Sequence, residues 1–199
     1  NCADRTCFQP GVVLPRGSAL LQPVRELDVP VYEVDGMADR SLALGAVPAL
    51  CRTIGSFQPD LVHTHGSLAG RVAARLKGRR AVYTRHCAFP PGALAASLPG
   101  RAAARCADAC LSDGVLAVGE ATKDILIQTG IPARKIHVLM NGVEPLPLPQ
   151  PEERERIRAE FGFEPEDFVL GILARIELYK GHDVLLDAAR QLMEQGRRV

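Results

Sequence analysis

The sequence predicts an α/β fold in which a parallel β-sheet carries helices on both faces. Short apolar runs rich in β-branched residues alternate with longer stretches of helical periodicity, as in βαβ units. The runs are apolar almost throughout, which indicates strands buried on both faces. The predicted strands are Gly11–Pro15, Val29–Val34, Leu61–His65, Ala81–Arg85, Val115–Val118, Ile136–Met140 and Phe168–Ala174. The predicted helices are Ser18–Leu27, Leu42–Phe57, Leu68–Lys77, Leu94–Ala107, Glu120–Gln128, Glu152–Phe161 and Asp183–Glu194.

A proline-rich stretch, PLPLPQP at residues 145–151, divides this pattern. Proline fixes φ and lacks a backbone donor, so such a stretch is typical of a stiff linker. A charged helix follows it, and the strand–helix pattern then restarts at Phe168. We therefore expect an N-terminal domain over residues 1–145, a linker with a connector helix over 146–166, and the start of a second α/β domain over 167–199.

Composition excludes several functional classes. The net charge of +1 gives no general attraction to nucleic acid, and the absence of Trp argues against a base-stacking surface. No GxGxxG occurs, which argues against a dinucleotide-dependent oxidoreductase. No apolar run approaches the ~20 residues of a membrane span. The cysteines lack CxxC spacing, which favours a reducing, cytoplasmic location.

Candidate functional residues follow the first strands of the predicted sheet. His63 and His65 end one strand, with His65 directly before Gly66 and Ser67, and Ser67 can cap the next helix. Ligands bind beyond the carboxyl ends of parallel strands, so His65 is placed to contact a substrate hydroxyl or phosphate. A structural role for either histidine is the alternative. No third ligand accompanies the two histidines, and we predict no metal site.

Later strand ends add further candidates for a cleft at the same edge. Arg85 and His86 follow the next strand, Glu120 begins a helix after another, and Asn141 with Gly142 forms a turn after the last. Glu120 also suits the positive end of the helix dipole, which is a purely structural explanation for it. Thr129 and Gly130 end that helix, with Pro132 just beyond.

A phosphate-binding arrangement is predicted in the second domain. Arg175 ends an apolar run, Lys180 lies in the following loop, and Gly181 opens an amphipathic helix. Free backbone N–H groups and the positive end of the helix dipole favour an anion there. Arginine adds a planar fork of donors and lysine a mobile charge.

Four blocks together resemble the retaining glycosyltransferases of family 4, which have the GT-B fold of two Rossmann-like domains. The blocks are LVHTHGSLAGRVAARL at 61–76, AVYTRH at 81–86, LAVGEATKDILIQTGIPARKIHVLMNGVE at 116–144 and LGILARIELYKGHDVLLDAA at 170–189. They occur in the family's order and spacing, and the similarity runs from about Gly11 to Val199.

The resemblance implies transfer of a sugar from a nucleotide-diphosphate sugar to a glycan or lipid-linked acceptor with retention, without a cofactor or metal. It assigns Arg175, Lys180 and Gly181 to the donor diphosphate and His65 to catalysis. It also implies that the acceptor lies mainly against the N-terminal domain, so we expect the strand-end candidates of that domain to line the acceptor side of the cleft: Gly66, Ser67, Arg85, His86, Glu120 and Asn141. Polysaccharide or lipopolysaccharide synthesis is the expected context, in the cytoplasm or in peripheral association with the inner face of the membrane.

The sequence also departs from the family's pattern. The family's opening strand with its Gly-rich loop is expected before Asn1, and its pair of donor-binding glutamates is expected after Val199. We therefore expect the 199 residues alone to be inactive. Gly119 stands where the family has serine, and Glu144 where it has aspartate. The alternatives are a GT-B sugar-nucleotide epimerase and a non-catalytic or inactive GT-B fragment.

Overall fold

A computed structural model describes residues 4–37 and 43–198 of the chain. Two compact units are present, Asn1–Gly142 and Val143–Val199, and each is described by itself. Leu42, the first residue of one predicted helix, lies outside the described residues.

The first unit is built from parallel strands in two sheets. Strand β1 (Val12–Pro15) pairs with β2 (Val31–Val34). The second sheet has the order β3 (Leu61–His65), β4 (Arg80–Arg85), β5 (Gly114–Ala117) and β6 (Ile136–Val138). Every pairing is parallel, which confirms the predicted fold class.

Helices alternate with these strands, close to the predicted positions. They are α1 (Leu21–Arg25), α2 (Val47–Phe57), α3 (Leu68–Leu76), α4 (Ala93–Ala96), α5 (Leu98–Leu111) and α6 (Glu120–Gln128) in the first unit, and α7 (Pro151–Glu160) and α8 (His182–Glu194) in the second. Short 3₁₀ turns cover Leu44–Ala46, Ala133–Lys135 and Leu178–Lys180.

Proline explains two differences from the predicted helices. Pro23 must lie in the first turn of a helix, because it has no N–H and its ring clashes with the preceding turn, so α1 starts at Leu21 rather than Ser18. Pro99 likewise divides the predicted helix Leu94–Ala107 into α4 and α5. Ser97 caps α5 by accepting a hydrogen bond from the Gly100 N–H at 3.2 Å.

The predicted strand Phe168–Ala174 is not formed within the described part of the chain. A strand is stabilised by a ladder of hydrogen bonds to a neighbour. Here the Phe168 N–H donates to the Arg198 carbonyl at 3.1 Å, but no ladder follows. The second domain's predicted βα unit is therefore represented by its helix, α8.

Small residues bring α3 close to the second sheet. Ala69, Ala73 and Ala74 are buried, and a Cβ on Gly70 would lie 2.8 Å from Thr64 Cγ2. The helix thus covers the face of β3 that carries Thr64. His63 and His65 alternate to the opposite face of the strand.

The end of α6 matches its prediction. Gly130 has a φ of +97°, its N–H donates to the Ile127 carbonyl at 2.9 Å, and the Ile131 N–H donates to the Leu126 carbonyl at 3.0 Å. This is a Schellman motif, and buried Leu126 and Ile131 supply its apolar contact. A Cβ on Gly130 would lie 2.5 Å from the Arg101 carbonyl oxygen, so α6 also approaches α5 closely.

A buried ion pair connects α5 to the turn before β6. Lys135 Nζ donates to Asp108 Oδ2 at 2.8 Å and to the carbonyl oxygens of Asp108 and Ser112 at 3.2 and 2.7 Å. The Asp108 side chain is 2% exposed and that of Lys135 19%. The ammonium group therefore neutralises a buried carboxylate and satisfies carbonyls at the end of α5.

A cavity of about 570 Å³ separates the two sheets of the first unit. Its walls include residues 11–14 of β1 and the loop before it, the whole of β3, and side chains of α2. The edges of β1 and β3 at this cavity are not paired with another described strand.

The second unit holds α7, the turn Leu178–Lys180 and α8. Gly181 has a φ of +73° and immediately precedes α8, where a residue with a Cβ would be strained. Across the described ranges of both units, no helix combines the length and apolar character needed to span a membrane.

Candidate functional site

The carboxyl edge of the second sheet carries the candidates predicted in the first unit. His65 ends β3 and Arg85 ends β4. Glu120 is the first residue of α6, shortly after β5, and Asn141 follows β6 by three residues. Because β3 to β6 are parallel, all four lie toward the same edge of the sheet.

Gly66 and Ser67 form the turn from β3 into α3. Gly66 has a φ of +73°, which glycine adopts without strain. Ser67 Oγ accepts a hydrogen bond from the Gly70 N–H at 3.1 Å, which confirms the predicted cap. The capped N-terminus of α3 thus begins two residues after His65.

Three imidazole rings form a cluster at this edge, which we call the histidine cluster: His63, His65 and His86. The His65 Nδ1 and His86 Nε2 atoms are 2.8 Å apart. The His63 and His65 ring centroids are 4.7 Å apart, and His63 Nε2 is 2.7 Å from Thr84 Oγ1. Sequence reasoning selected each histidine, but it did not predict the direct contact between His65 and His86.

The environments of His63 and His65 favour the neutral form of each ring. Burial lowers the pKa of His63, and positive charge on His65 or His86 lowers it further. Burial also lowers the pKa of His65, again with a contribution from His86. The usual imidazole pKa is 6.5, so at neutral pH both rings are uncharged and each offers one donor and one acceptor.

The other candidates of the first unit form separate contacts. Arg85 Nε donates to the Cys87 carbonyl at 3.2 Å, and Glu120 Oε2 pairs with Lys123 Nζ at 3.0 Å. Asn141 is exposed. Neighbouring residues of an extended strand point to opposite faces, so Arg85 does not join His86 in the histidine cluster.

In the second unit, Tyr179 connects the two predicted phosphate-binding cations. Arg175 Nη2 donates to the Tyr179 hydroxyl at 2.8 Å, and Lys180 Nζ lies 5.2 Å from the centroid of the Tyr179 ring. Arg175 Nη1 is also 3.8 Å from Glu177 Oε1. Sequence reasoning missed Tyr179, although an aromatic residue beside a loop lysine is the signal for such a contact.

The phosphate-binding arrangement lies at the start of a long helix. Lys180 ends the 3₁₀ turn, Gly181 follows, and α8 continues for 13 residues. This order matches the prediction of a cationic loop before a helix N-terminus. Within the described ranges, no group of three or more His, Cys, Asp or Glu side chains is arranged to hold a metal ion.

Comparison with known proteins identifies a family for most of the chain. Residues 3–145 match the profile described as Glycosyltransferase Family 4. The chain is 31% identical to D-inositol 3-phosphate glycosyltransferase 1 of Catenulispora acidiphila over 194 residues, which is 87% of this chain and 46% of that protein.

Solved structures agree in fold. The Anabaena protein HepE, crystallised with UDP and glucose, is 22% identical and superposes with a TM-score of 0.69 over 90% of this chain and 50% of its own. Its complex with UDP-glucose gives 21% identity and a TM-score of 0.70 over 90% of this chain and 49% of its own. The chain thus spans about half the length of the relatives that it matches.

Proposed function

The chain belongs to glycosyltransferase family 4, and we propose that the whole protein transfers a sugar from a nucleotide-diphosphate sugar to an acceptor hydroxyl with retention of configuration. In this reaction the bond between the anomeric carbon and the diphosphate oxygen breaks. A bond to the acceptor oxygen forms, and the acceptor loses its proton. The diphosphate leaves with additional negative charge, which the protein must stabilise.

The observation that carries this proposal is the pair Arg175 and Lys180 around Tyr179 at the start of α8. Tyr179 restrains both cations, and restrained charges need little reorganisation when the leaving group develops its charge. The arginine fork suits two phosphate oxygens, whereas lysine supplies a point charge. The N-terminus of α8 after Gly181 adds free N–H groups.

In the first unit, we assign His65 to the reacting sugar or the acceptor hydroxyl. The ring is neutral at pH 7, so it can accept a proton or exchange hydrogen bonds with a hydroxyl. The carboxylate that follows β5, Glu120, is paired with Lys123. Double displacement in retaining glycosidases needs two closely spaced carboxylates, so we propose transfer without a covalent carboxylate intermediate.

For the substrates, we propose a UDP-sugar donor and a glycan or lipid-linked acceptor of cell-envelope synthesis. The UDP complexes of the Anabaena protein support the donor class. Exposed Phe89, Leu94 and Leu98 support an acceptor with a lipid part, because apolar side chains on a surface favour contact with apolar ligands. The name of the Catenulispora relative adds an inositol phosphate as a second acceptor to test.

A product assay tests the reaction. The whole protein is incubated with UDP-glucose, UDP-N-acetylglucosamine and GDP-mannose, each with inositol 3-phosphate, oligosaccharide or lipid-linked acceptors. We expect nucleoside diphosphate release that depends on an acceptor, and a product whose anomeric configuration by NMR equals that of the donor. An inverted product contradicts retention. An epimerised nucleotide sugar formed without acceptor establishes the epimerase alternative, and absence of turnover with every pair supports a non-catalytic protein.

Variants test the assigned diphosphate site. Lys180→Ala should lower kcat/KM by roughly a hundredfold or more, the range seen when one oxyanion-stabilising donor is removed. Arg175→Lys should also be harmful, because a point charge cannot replace the fork. Arg190→Ala on α8 is the matched control, since Arg190 pairs with Asp187 at 3.3 Å and has no assigned role. Equal losses in Lys180→Ala and Arg190→Ala would contradict the assignment.

A further inference from the structure

The segment after β6 carries an asparagine–glycine pair to which the proposed function assigns no step. Asn141 is one of two asparagines in the chain, the other being Asn1, and Gly142 follows it directly. Residues 139–150 form neither helix nor strand, and all of them are exposed. The pair therefore lies where a side-chain amide can meet the main-chain nitrogen of the next residue.

Such a pair can react with itself, because the two reacting atoms close a five-membered ring. The main-chain nitrogen of Gly142 forms a bond to Asn141 Cγ, and the bond from Cγ to Nδ2 breaks. The nitrogen's proton leaves with the amide group as ammonia, and a succinimide remains. Water then opens this ring at either of its two carbonyl groups, which gives aspartate from one opening and isoaspartate from the other.

The fold restrains neither reacting group. The last main-chain hydrogen bond before the pair runs from the Leu139 N–H to the Ala117 carbonyl at 2.9 Å. Across the part of the chain that the structure describes, neither Asn141 nor Gly142 takes part in a hydrogen bond or an ion pair. Val143, the next residue, is 91% exposed. The segment is therefore free to bend into the geometry that ring closure requires.

Asp113 and Gly114 show the restrained case in the same unit. Asp113 Oδ2 accepts a hydrogen bond from the Ala81 N–H at 2.7 Å and lies 2.9 Å from Arg75 Nη2. Gly114 is the first residue of β5, so its backbone is fixed in a strand. Both groups that would have to approach each other are held by other partners there, in contrast to Asn141 and Gly142.

We propose that Asn141 is a site of spontaneous deamidation, which converts an uncharged amide into a carboxylate at the carboxyl edge of the second sheet. The change adds one negative charge to the edge that carries His65, Arg85 and Glu120. The isoaspartate product also adds one carbon to the main chain directly before Val143, where the second unit begins. The reaction needs only water and is independent of sugar transfer.

Gly142→Ala tests the route through the succinimide. A Cβ on Gly142 would have no heavy atom within 4 Å, and Gly142 lies outside the positive-φ region, so alanine fits without a clash or backbone strain. The added methyl group crowds the attacking nitrogen and should slow deamidation several-fold. Asn141→Gln is the second control. It keeps the amide but requires a six-membered ring, so it should react more slowly than wild type.

Mass spectrometry of the aged whole protein measures the reaction. The protein is incubated in mildly acidic and in mildly alkaline buffer, and trypsin then releases Ile136–Arg154, which contains Asn141. Relative to an unaged sample, this peptide should gain about one dalton and separate into two isomers by chromatography. The gain should be faster in alkaline buffer, because the attacking nitrogen must lose its proton. Fragment spectra distinguish a change at Asn141 from one at Gln150.

Two outcomes overturn the proposal. One is an unmodified peptide from the aged protein under conditions in which a synthetic peptide of the same sequence deamidates, since the fold would then protect Asn141. The other is a Gly142→Ala variant that deamidates as fast as wild type, since the glycine nitrogen would then not be the attacking atom.

Discussion

Replacing Lys135 by methionine should strongly destabilise the first unit. The substitution keeps most of the apolar stem but removes a charge and three hydrogen bonds, to Asp108 Oδ2 and to the carbonyls of Asp108 and Ser112. The Asp108 carboxylate, with a side chain 2% exposed, is left without its counter-ion. Breaking a buried pair from one side costs about 3–5 kcal/mol. Lys135 is 19% exposed, so water can partly replace its ammonium group. We therefore expect the free energy of unfolding to fall by about 3 kcal/mol, the lower end of that range.

Urea unfolding followed by far-UV circular dichroism measures this loss, and the absence of Trp makes tyrosine fluorescence a second probe. Lys123→Met is the matched control. Its pair with Glu120 has a similar distance of 3.0 Å, but the Glu120 side chain is 70% exposed, so the loss should be below about 0.5 kcal/mol. Adding Asp108→Leu to Lys135→Met should recover part of the stability, because the unpaired carboxylate is then removed. Equal losses in Lys135→Met and Lys123→Met would refute the reasoning.

Three further predictions concern the framework of the site. Gly130→Ala should lower the free energy of unfolding by about 3 kcal/mol, measured with urea, because the position combines a positive φ with a 2.5 Å clash against a backbone oxygen. Gly78→Ala is the control, since Gly78 has a positive φ in open space, and it should lower the free energy of unfolding by about 1 kcal/mol. Similar losses in the two variants would contradict this. Ser67→Ala should cost about 1 kcal/mol by removing the cap of α3, and Ser67→Asp should retain most of the stability in the same measurement. The urea midpoint should fall as the pH drops below about 6.5, because the pKa values of His63 and His65 are lowered in the folded state and the unfolded chain binds more protons there. If the double variant with His63→Asn and His65→Asn keeps the same dependence of the urea midpoint on pH, this cause is excluded.

Much of the fold was predictable because its signals are local. The helix Glu120–Gln128 has its predicted bounds, and Gly130 ends it by the expected Schellman motif. The strand Leu61–His65 was also predicted with its bounds, because an apolar run ends there at a Gly-Ser turn. The predicted strand Phe168–Ala174 was wrong, since strand formation depends on a pairing partner that local sequence does not specify.

The contacts of the candidate site were less predictable than its position. The strand ends placed His65 and His86 at one edge of the sheet, but their contact depends on the register between β3 and β4. Register is a property of two strands together and cannot be read from either strand alone. Tyr179 was missed for a similar reason, because its role comes from lying between Arg175 and Lys180 in space.

The cavity between the two sheets has a consequence for backbone dynamics. In a parallel ladder, alternate residues direct their amides to opposite edges of a strand, so half of the amides of β1 and of β3 face this cavity rather than a paired strand. Strands β4 and β5 have a paired neighbour on both sides. Hydrogen exchange along β1 and β3 is therefore expected to alternate between fast and slow from one residue to the next, while β4 and β5 are protected throughout.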